Sequence, residues 1–383
     1  MADILIVGGG PAGSACAGLL AANHDVTVLE THPESGTPLE CTGLISPDVI
    51  DYCPVKPTVL NSFSKAEFHF PDDSILDIDC GRPTALLIDR SELDRNLAEY
   101  AMAAGAEFRY SEKCTASYVR NGTCKAITDK GNTYSSKVLI GADGHSSRVR
   151  RSVCGFVPSM TVRGIQADIR YEMDVQDTIR IYMGSGIAPG FFAWVIPFGE
   201  YTRLGLCCEW SYGTPSQYLN PFMKGLGLDD REIVSRSAGK IPLGYLKRTY
   251  ADNVLLIGDS ACQVKPISGG GLYPIFRAAP CLADTVEKAF EHDDFSANSL
   301  SSYQTAWKSL LGKEIKRGYK LRSMYNKLSD KDLNNIRRIV DKPFIREIAL
   351  GADIDRPSEV CVKALRHPLV MMRLLPYLFK GVF

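Results

Sequence analysis

A glycine-rich turn near the start of the chain constrains the fold more than any other feature. The apolar run "ILIV" (residues 4–7) is followed by "GGGPAG", then by the Ala- and Leu-rich "SACAGLLAAN", then by "DVTVLE", which ends at Glu30. This order predicts strand, turn, helix and strand, with G-x-G-x-x-G at Gly8, Gly10 and Gly13. In such a unit the glycines allow a tight turn, approach of a pyrophosphate to the backbone and close helix–strand packing. The helix N-terminus offers N–H groups to the phosphate, and the acid can accept hydrogen bonds from a ribose diol. The unit therefore predicts a dinucleotide-binding domain.

Length and charge bound the possible classes of protein. At 383 residues the chain exceeds one ordinary domain, and a hydrophobic content of 45% is typical of a protein with a substantial core. Lys plus Arg equals Asp plus Glu at 44 each, so the charge balance argues against a nucleic-acid partner. No apolar run reaches about 18 residues, so the sequence predicts no membrane-spanning helix.

The cysteines indicate free thiols rather than a metal or iron–sulfur site. No two of them have the C-x-x-C spacing that zinc and iron–sulfur sites commonly use, so no metal site is predicted. The chain begins with a hydrophobic strand and not with a secretion signal, and we therefore expect a cytoplasmic protein with reduced cysteines. The cysteines are Cys16, Cys41, Cys53, Cys80, Cys114, Cys124, Cys154, Cys207, Cys208, Cys262, Cys281 and Cys361.

The rest of the chain alternates between two kinds of segment. Buried strands that end in glycine and an acid recur at "KVLIGADG" and "NVLLIGDS", whereas the middle of the chain holds short β-like runs with few helical ones. The segment "FSKAEFHFPDDSILDIDC" predicts a β-hairpin around its "PDD" turn. The prediction is an α/β protein with a discontinuous Rossmann-type dinucleotide-binding domain (1–58, 82–158 and 250–290), an antiparallel β-sheet substrate lobe (59–81 and 159–249) and a helical C-terminal segment (291–383).

Three strand ends carry both glycine and acid: "GGGPAG" with Glu30, "GADG" (141–144) and "GDS" (258–260). Their order and spacing resemble the flavoprotein superfamily that includes para-hydroxybenzoate hydroxylase, from residue 1 to about 285. The resemblance implies FAD as the cofactor. The first motif would hold the ADP half, Asp143 and Gly144 would support the pyrophosphate region, and Asp259 would bind the ribitol chain.

The resemblance also implies positions around the flavin. The glycines of "KPISGGGLYP" precede an apolar helix whose N-terminus in this superfamily points at the pyrimidine edge, where a positive dipole end favours the anionic reduced flavin. Arg90 matches an arginine placed beside the cofactor phosphates, although it could instead pair with Glu92 or Asp94 on its own helix. The predicted cofactor-binding residues are Gly8, Gly10, Ala12, Gly13, Glu30, Cys41, Thr42, Gly43, Arg90, Ala116, Asp143, Gly144, Gly258, Asp259, Gly270, Gly271 and Leu272.

The segment "ECTGLIS" (40–46) resembles a loop that the geranylgeranyl reductase family places against the isoalloxazine ring. Cys41, Thr42 and Gly43 stand where that loop carries a cysteine and glycine. A buried free cysteine with no such role is the alternative, since cysteines are common interior residues. Cys41 is the one catalytic candidate, and no other catalytic residue is assigned.

The stretch "PGFFAWVIP" resembles the motif Pro-x-x-Tyr-x-Trp-x-Phe-Pro of archaeal and plant geranylgeranyl reductases. Pro189, Trp194 and Pro197 match, whereas Phe192 replaces the tyrosine and Ile196 replaces the phenylalanine. In a strand, residues 192, 194 and 196 share one face. These five residues are the predicted substrate-binding set, with an apolar wall suited to a prenyl chain; an ordinary sheet core is the alternative.

The chain thus resembles the geranylgeranyl reductase family and, within it, the archaeal digeranylgeranylglycerophospholipid reductases. The implied reaction is FAD-dependent saturation of isolated double bonds in ether-linked geranylgeranyl lipids, with hydride from flavin N5. The implied partners are a prenylated lipid and an external electron donor, which could be ferredoxin, NAD(P)H or a deazaflavin. The C-terminal "HPLVMMRLLPYLFKGVF" adds possible peripheral contact with a membrane surface.

Other functions stay open at this point. Flavin-dependent halogenases carry Trp-x-Trp-x-Ile-Pro, which differs from the present stretch at one position, and need an active-site lysine, for which Lys65 is the candidate. A monooxygenase acting on an aromatic or polyketide substrate would keep the same FAD motifs. A flavin-bearing electron-transfer protein would need C-terminal iron–sulfur cysteines, which the sequence lacks. The basic runs at 312–322 and 335–340 are typical of solvated helix faces more often than of lipid-phosphate sites.

Overall fold

The computed structural model describes residues 1–155, 157–351 and 353–380. The side chains of Val153, Cys154 and Phe379 lie outside the described part, as do residues 352 and 381–383 of the predicted C-terminal segment. Every cysteine whose side chain is described is a free thiol.

The described strands are β1 (Ala2–Val7), β2 (Val26–Leu29), β3 (Leu44–Ile45), β4 (Val59–Phe63), β5 (Lys65–His69), β6 (Ile75–Asp79), β7 (Ala85–Ile88), β8 (Glu107–Arg109), β9 (Cys114–Arg120), β10 (Thr123–Thr128), β11 (Thr133–Gly141), β12 (Met160–Arg170), β13 (Thr178–Tyr182), β14 (Ala193–Phe198), β15 (Tyr201–Glu209), β16 (Ile233–Leu243), β17 (Tyr250–Ala251) and β18 (Val254–Leu256). The described α-helices are α1 (Pro11–Leu20), α2 (Val49–Tyr52), α3 (Arg90–Ala103), α4 (Ser216–Gly225), α5 (Leu272–Glu291), α6 (Ala297–Trp307), α7 (Lys313–Tyr325), α8 (Asp330–Val340), α9 (Pro343–Leu350), α10 (Pro357–Leu365) and α11 (Pro368–Lys380).

The largest sheet of the described residues has eight strands and carries the glycine motifs. Its main path runs β17-β18-β11-β1-β2-β8, and β10 and β9 extend it from β11. β1 is parallel to β2 and to β11, and β11 is parallel to β18. The carboxyl ends of these strands therefore meet at one edge. α1 packs against α3 and α5, and their apolar side chains join those of the strands in one core, which explains why these strands are apolar on both faces.

A second sheet of seven strands has the order β16-β12-β15-β14-β13-β5-β6. Neighbouring strands are antiparallel except β13 and β5, which are parallel. One face of this sheet packs against α4 through a cluster that includes Val195, Leu204 and Phe222. The other face carries Trp194 and Ile196 and turns toward the rest of the protein.

A third, small sheet has three strands in the order β3-β7-β4. The hairpin predicted at 63–80 is present as β5 and β6 and belongs to the seven-stranded sheet. Residues 59–63, grouped with the substrate lobe in the sequence-based division, pair with β7 in the small sheet. The division into domains stays a prediction.

Helices follow the third glycine–acid motif (258–260) almost without interruption. α6 buries Leu300, Tyr303 and Trp307 in the core beneath the large sheet. Further along, α8 begins at a capping box in which Ser329 and Asp332 exchange hydrogen bonds. Within the described part of the chain, no helix combines the length and the hydrophobicity needed to cross a bilayer.

Candidate functional site

The first glycine motif forms a turn that only glycine can adopt. Gly8 has φ of +106°, and a Cβ there would lie 2.4 Å from the carbonyl oxygen of Ala142. A Cβ on Gly13 would lie 1.9 Å from the carbonyl oxygen of Gly8, so α1 touches the end of β1. A Cβ on Gly10 would meet no described atom within 4 Å, which leaves open space at the N-terminus of α1.

Glu30 lies at the end of β2 with its carboxylate directed at this turn. Its Oε2 accepts a hydrogen bond of 2.7 Å from the backbone N–H of Gly9, and its Oε1 accepts one of 2.8 Å from the N–H of His32. The side chain is buried, and Oε1 also lies 2.8 Å from Nδ1 of His32, so the lone pair that remains without a partner is on Oε2. Glu30 therefore both fixes the turn and remains able to accept from a ribose hydroxyl.

The Asp-Gly motif follows β11. The carboxylate of Asp143 accepts hydrogen bonds from the hydroxyl of Ser147 and the backbone N–H of Arg148, so it caps the next turn. Burial raises the pKa of Asp143. Arg150, buried in the same segment, donates to the carbonyl oxygens of Asp259 at 3.3 Å and Ser260 at 3.0 Å. Arg150, which the sequence did not single out, thus ties the second motif to the third.

The third motif meets the first. Gly258 has φ of +66°, and a Cβ there would lie 2.9 Å from Cβ of Ala12. Burial raises the pKa of Asp259 to about 6, opposed by Arg90 and Arg150. No described residue donates a hydrogen bond to this carboxylate. A Cβ on Gly271 would lie 3.5 Å from its Oδ1, so Asp259 faces the turn that precedes α5.

The turn before α5 is closed by backbone hydrogen bonds. The N–H of Lys265 donates to the carbonyl of Gly270 at 3.0 Å, and the N–H of Gly269 donates to the carbonyl of Lys265 at 2.8 Å. We call residues 265–271 the α5 loop. Gly271 occupies the N-cap of α5 and Leu272 is its first residue. The helix has 20 residues, and its N-terminus carries partial positive charge.

The 41–43 loop docks on the seven-stranded sheet. Gln166 donates a hydrogen bond of 3.1 Å to the carbonyl of Cys41 and accepts one of 3.1 Å from the hydroxyl of Thr42. Arg203 donates to the carbonyl of Thr42 at 2.6 Å while pairing with both carboxylate oxygens of Asp168 at 2.7 and 2.8 Å. Gln166, Arg203 and Asp168 have no local signal in the sequence, because β12 and β15 bring them together by pairing.

Arg90 is the first residue of α3, and it forms the pair with Asp94 that was one of the two roles predicted for it. Its Nε and Nη2 donate to the two carboxylate oxygens of Asp94 at 3.1 and 3.0 Å. Burial alone would lower the pKa of Arg90, but Asp94 and Cys41 beside it hold the pKa above its usual range. A Cβ on Gly43 would lie 3.4 Å from Cγ of Arg90. Arg90 thus pairs within its helix and also borders the 41–43 loop.

Phe192, Trp194 and Ile196 belong to one apolar cluster, and we call these three residues the apolar wall. The rings of Phe192 and Trp194 meet edge to face at 6.2 Å. Trp194 pairs across the sheet with Gly205, where a Cβ would lie 2.7 Å from Cζ2 of the indole and 2.7 Å from Cβ of Gln166. The absence of a side chain at Gly205 therefore lets the indole lie across β15 toward Gln166. Pro189 and Pro197, the other two predicted substrate residues, are buried.

α7 anchors the stretch that leads into the wall. Arg322 donates to the carbonyl oxygens of Gly190 and Pro266, each at 3.1 Å, and its guanidinium lies 4.1 Å from the ring centroid of Phe191. Tyr325 donates to the carbonyl of Phe191 at 2.7 Å. Burial lowers the pKa of Arg322 to about 10. Arg322 also donates to the carbonyl of Ile267, so three carbonyls satisfy its donors in the buried position, and the interpretation of 312–322 as a solvated face is corrected at this residue.

Two predicted residues lie apart from this centre. Ala116 is exposed on β9, where it pairs with Ile127. Lys65, the lysine that a halogenase would need, is 38% exposed and lies 3.2 Å from a carboxylate oxygen of Asp177. Its partners are surface carboxylates, so nothing in its surroundings favours the halogenase interpretation.

The residues present fit a dinucleotide with an attached ring system. The space at Gly10, the unshared carboxylate of Asp259 and the N-terminus of α5 lie along the edge where the parallel strands end, which is the usual ligand position of such a sheet. The indole Nε1 of Trp194 is buried without a hydrogen-bond partner among the described residues. A donor left unsatisfied in this way indicates a polar ligand atom or water beside the wall.

Comparisons with known proteins agree with this geometry. The family described as lycopene cyclase protein matches residues 3–346. An uncharacterised protein of Methanocaldococcus jannaschii is 30% identical over 95% of each chain. A protein of Methanopyrus kandleri named digeranylgeranylglycerophospholipid reductase 2 is 27% identical over 99% of each chain, and the namesake of Methanothermobacter thermautotrophicus is 28% identical over 97% of this chain and 98% of its own.

Solved structures confirm the predicted fold class. A geranylgeranyl bacteriochlorophyll reductase-like protein of Thermoplasma acidophilum has a TM-score of 0.83 at 22% identity and covers 98% of this chain and 99% of its own. A mutant of the halogenase PltM in complex with FAD has a TM-score of 0.70 at 14% identity over 98% of this chain and 85% of its own. The resemblance to geranylgeranyl reductases is confirmed by the named relatives, and the chain belongs to the lycopene cyclase protein family.

Proposed function

We propose that this protein is an FAD-dependent reductase that saturates isolated double bonds of geranylgeranyl chains in ether-linked membrane lipids. The names of the relatives that match nearly the whole chain support this substrate class. Lycopene, which the family description names, is also a polyprenyl hydrocarbon. The proposal therefore requires one protein to bind both a long apolar substrate and a flavin.

One observation carries the proposal: the apolar wall adjoins the loop predicted to contact the flavin. The indole of Trp194 and Cβ of Gln166 flank the same point above Gly205, each 2.7 Å from where a Cβ would lie, and Gln166 holds both Cys41 and Thr42 by hydrogen bonds. A prenyl chain that lies along the wall would thus be next to the cofactor loop. A hydrocarbon chain offers no hydrogen-bonding group along its length, so an apolar wall of this kind suits it.

The residues of this chain would bind and orient both molecules. The glycine turn at residues 8–13 and the carboxylates of Glu30 and Asp259 would hold FAD. When bound and reduced, FAD would supply a hydride from N5 for one alkene carbon, and the other carbon would need a proton. An isolated alkene has no carbonyl to polarise, so acceleration rests on positioning and on exclusion of water by the wall. Phe192 and Trp194 present π faces that stabilise positive charge developing on the alkene.

The test is an anaerobic single-turnover experiment. The FAD-loaded protein is reduced chemically and mixed with a digeranylgeranyl ether phospholipid, and the lipid is weighed by mass spectrometry. We expect two hydrogen atoms gained per double bond, with flavin reoxidised in step. Flavin that stays reduced with the lipid unchanged, but reoxidises when oxygen and an aromatic substrate are added, would refute the proposal in favour of a monooxygenase.

A pair of tryptophan variants tests the wall. Trp194→Leu keeps an apolar side chain but removes the π face, and we expect saturation at least about tenfold slower with FAD occupancy unchanged, since about 1.4 kcal/mol of barrier is tenfold in rate. Trp210→Leu is the control, because Trp210 is 53% exposed and lies outside the wall cluster. Equal rates for both variants would show that the wall takes no part in the reaction.

The same assay, started from oxidised flavin, compares ferredoxin, NADPH and a reduced deazaflavin as electron donors.

The proposed substrate is a membrane lipid, and α11 presents a surface that would contact a membrane. Leu369 and Met372 are 60% and 62% exposed on this helix, and Arg373 lies exposed beside them. From residue 360 to residue 383 the sequence contains basic residues but no acidic ones, so the surface suits anionic lipid. We expect Met372→Glu to reduce cosedimentation with anionic vesicles, whereas Val234→Glu on β16, also exposed, should not change it.

A further inference from the structure

A carboxylate from the C-terminal segment lies between the two loops that border the proposed flavin site. Asp355 is 2% exposed, and one of its oxygens accepts from the ammonium group of Lys265 while the other accepts from the hydroxyl of Ser46. Lys265 and Ser46 are also buried, at 7% and 3% exposure. We call Ser46, Lys265 and Asp355 the clasp. Its three members are far apart in the sequence and meet only through tertiary packing.

Each partner of Asp355 belongs to a segment with a proposed cofactor role. Ser46 follows β3, which comes directly after the 41–43 loop. Lys265 closes the α5 loop through its own backbone, and a Cβ on Gly270 would lie 2.7 Å from Cε of Lys265. The Lys265 side chain therefore fills the space behind the glycines that precede α5. The clasp joins the loop beside the flavin ring to the loop at its pyrimidine edge.

Neighbouring contacts hold the C-terminal segment in this position. The Lys265 ammonium also donates to the carbonyl of Ile354 at 3.2 Å. Ile354 packs against the cluster that contains the apolar wall. Further along, Ser358 donates through its N–H and hydroxyl to the carboxylate of Glu314 on α7. Residues 354–358 are thus fixed against the cluster that contains the wall, at the α5 loop and at α7.

We propose that Asp355 is a positioning residue that holds the 41–43 loop and the α5 loop at the separation that FAD requires. This inference rests on the proposed FAD site but assigns Asp355 no contact with the cofactor. Its physical basis is that a buried carboxylate with two donors from different segments fixes both of them: losing the Lys265 contact leaves a buried charge without its counter-ion, and losing the Ser46 contact leaves one buried carboxylate oxygen without a donor. The C-terminal segment is then part of the cofactor site rather than an appended helical region.

Asp355→Asn tests the clasp in two measurements. FAD affinity, measured by quenching of flavin fluorescence on titration into FAD-free protein, should fall by about tenfold or more, because the variant loses the charged hydrogen bonds that hold both loops. Hydrogen exchange of the FAD-free variant should speed up at residues 43–46 and 265–271, both distant in sequence from position 355. Ser46→Ala, which leaves the ion pair intact, should weaken FAD binding less and speed exchange at 43–46 alone.

The matched control is Asp330→Asn. The carboxylate of Asp330, in the same helical region, accepts two hydrogen bonds of 2.8 Å from the N–H and hydroxyl of Ser185, away from both cofactor loops. Its replacement should leave FAD affinity and exchange at 265–271 unchanged. A double variant, Lys265→Met with Asp355→Leu, removes both charges. If the ion pair is merely structural, this double variant should recover both thermal stability and FAD affinity. If Asp355 positions the two loops, the double variant should recover thermal stability but not FAD affinity.

Opposite outcomes are readily separated. If Asp355→Asn speeds exchange only at 353–358 and leaves FAD affinity as in the parent, the carboxylate merely docks the C-terminal segment and the inference is overturned. If Asp355→Asn does not fold, Ser46→Ala still decides, since unchanged exchange at 43–46 together with unchanged FAD affinity would also overturn it. If the parent protein binds no FAD, the proposed function fails, while exchange in the FAD-free protein still reports on the clasp.

Discussion

Replacing Asp259 with asparagine is expected to stabilise the FAD-free protein at neutral pH. Burial raises the pKa of Asp259 to about 6 from its usual 3.8, with Arg90 and Arg150 opposing the rise and Glu40 adding to it. As the pH rises from 4, the unfolded chain loses this proton first, while the native state keeps it until about pH 6. The native state therefore loses stability across this window, and asparagine, which carries no proton to lose, escapes that loss.

The size of the expected stabilisation follows from the shift in the pKa of Asp259. One pKa unit is about 1.4 kcal/mol, so the rise from 3.8 to about 6 corresponds to about 3 kcal/mol when both states are ionised. Integrated by proton linkage, the cost of the carboxyl is roughly 0.6 kcal/mol at pH 4, roughly 1.6 at pH 5 and roughly 2.9 at pH 7. These are upper bounds, because the residue keeps partial exposure to solvent.

Urea denaturation of the FAD-free parent and of Asp259→Asn at pH 4, 5, 6 and 7 measures this directly. The difference in unfolding free energy reports on Asp259 together with its coupling to Glu40. Asp72→Asn is the control of opposite sign: Ser74 lowers the pKa of Asp72, so its carboxylate stabilises the fold above its usual pKa and that contribution is lost as the pH falls. A difference for Asp259→Asn that stays constant from pH 4 to pH 7 would refute the reasoning.

Two further substitutions test the geometry around the wall. Gly205→Ala should cost about 1–3 kcal/mol of stability and slow prenyl reduction, because the added methyl would lie 2.6 Å from the carbonyl oxygen of Ile165 and 2.7 Å from the ring of Trp194. Gly225→Ala, where a Cβ meets nothing within 4 Å, should be neutral or stabilising in urea denaturation. Arg203→Lys should cost about 2 kcal/mol or more and weaken FAD binding, since lysine cannot pair with both oxygens of Asp168 while donating to the 41–43 loop; unchanged melting and FAD affinity would contradict this.

The sequence predicts well those parts of the site that are set by local backbone geometry. Gly8 and Gly258 have positive φ and leave no room for a Cβ; Gly8 directly follows β1, and Gly258 follows β18 after one intervening residue. The hairpin at residues 63–80 and the shared face of residues 192, 194 and 196 follow from a two-residue period. In each case neighbouring residues along the chain carry the whole signal, so composition and spacing are enough.

The sequence does not predict which polar residues hold the loops in place. Arg322, in a run typical of a solvated helix face, is buried because carbonyls of residues 190, 266 and 267 surround it. Asp355 looks like any acidic residue of a helical tail, yet it joins Ser46 to Lys265. A charged side chain becomes buried only where partners from other segments replace its water. Residue type and spacing therefore determined the motif positions, whereas tertiary packing alone decided which polar side chains hold them together, because the replacement of water depends on segments that meet only in the folded chain.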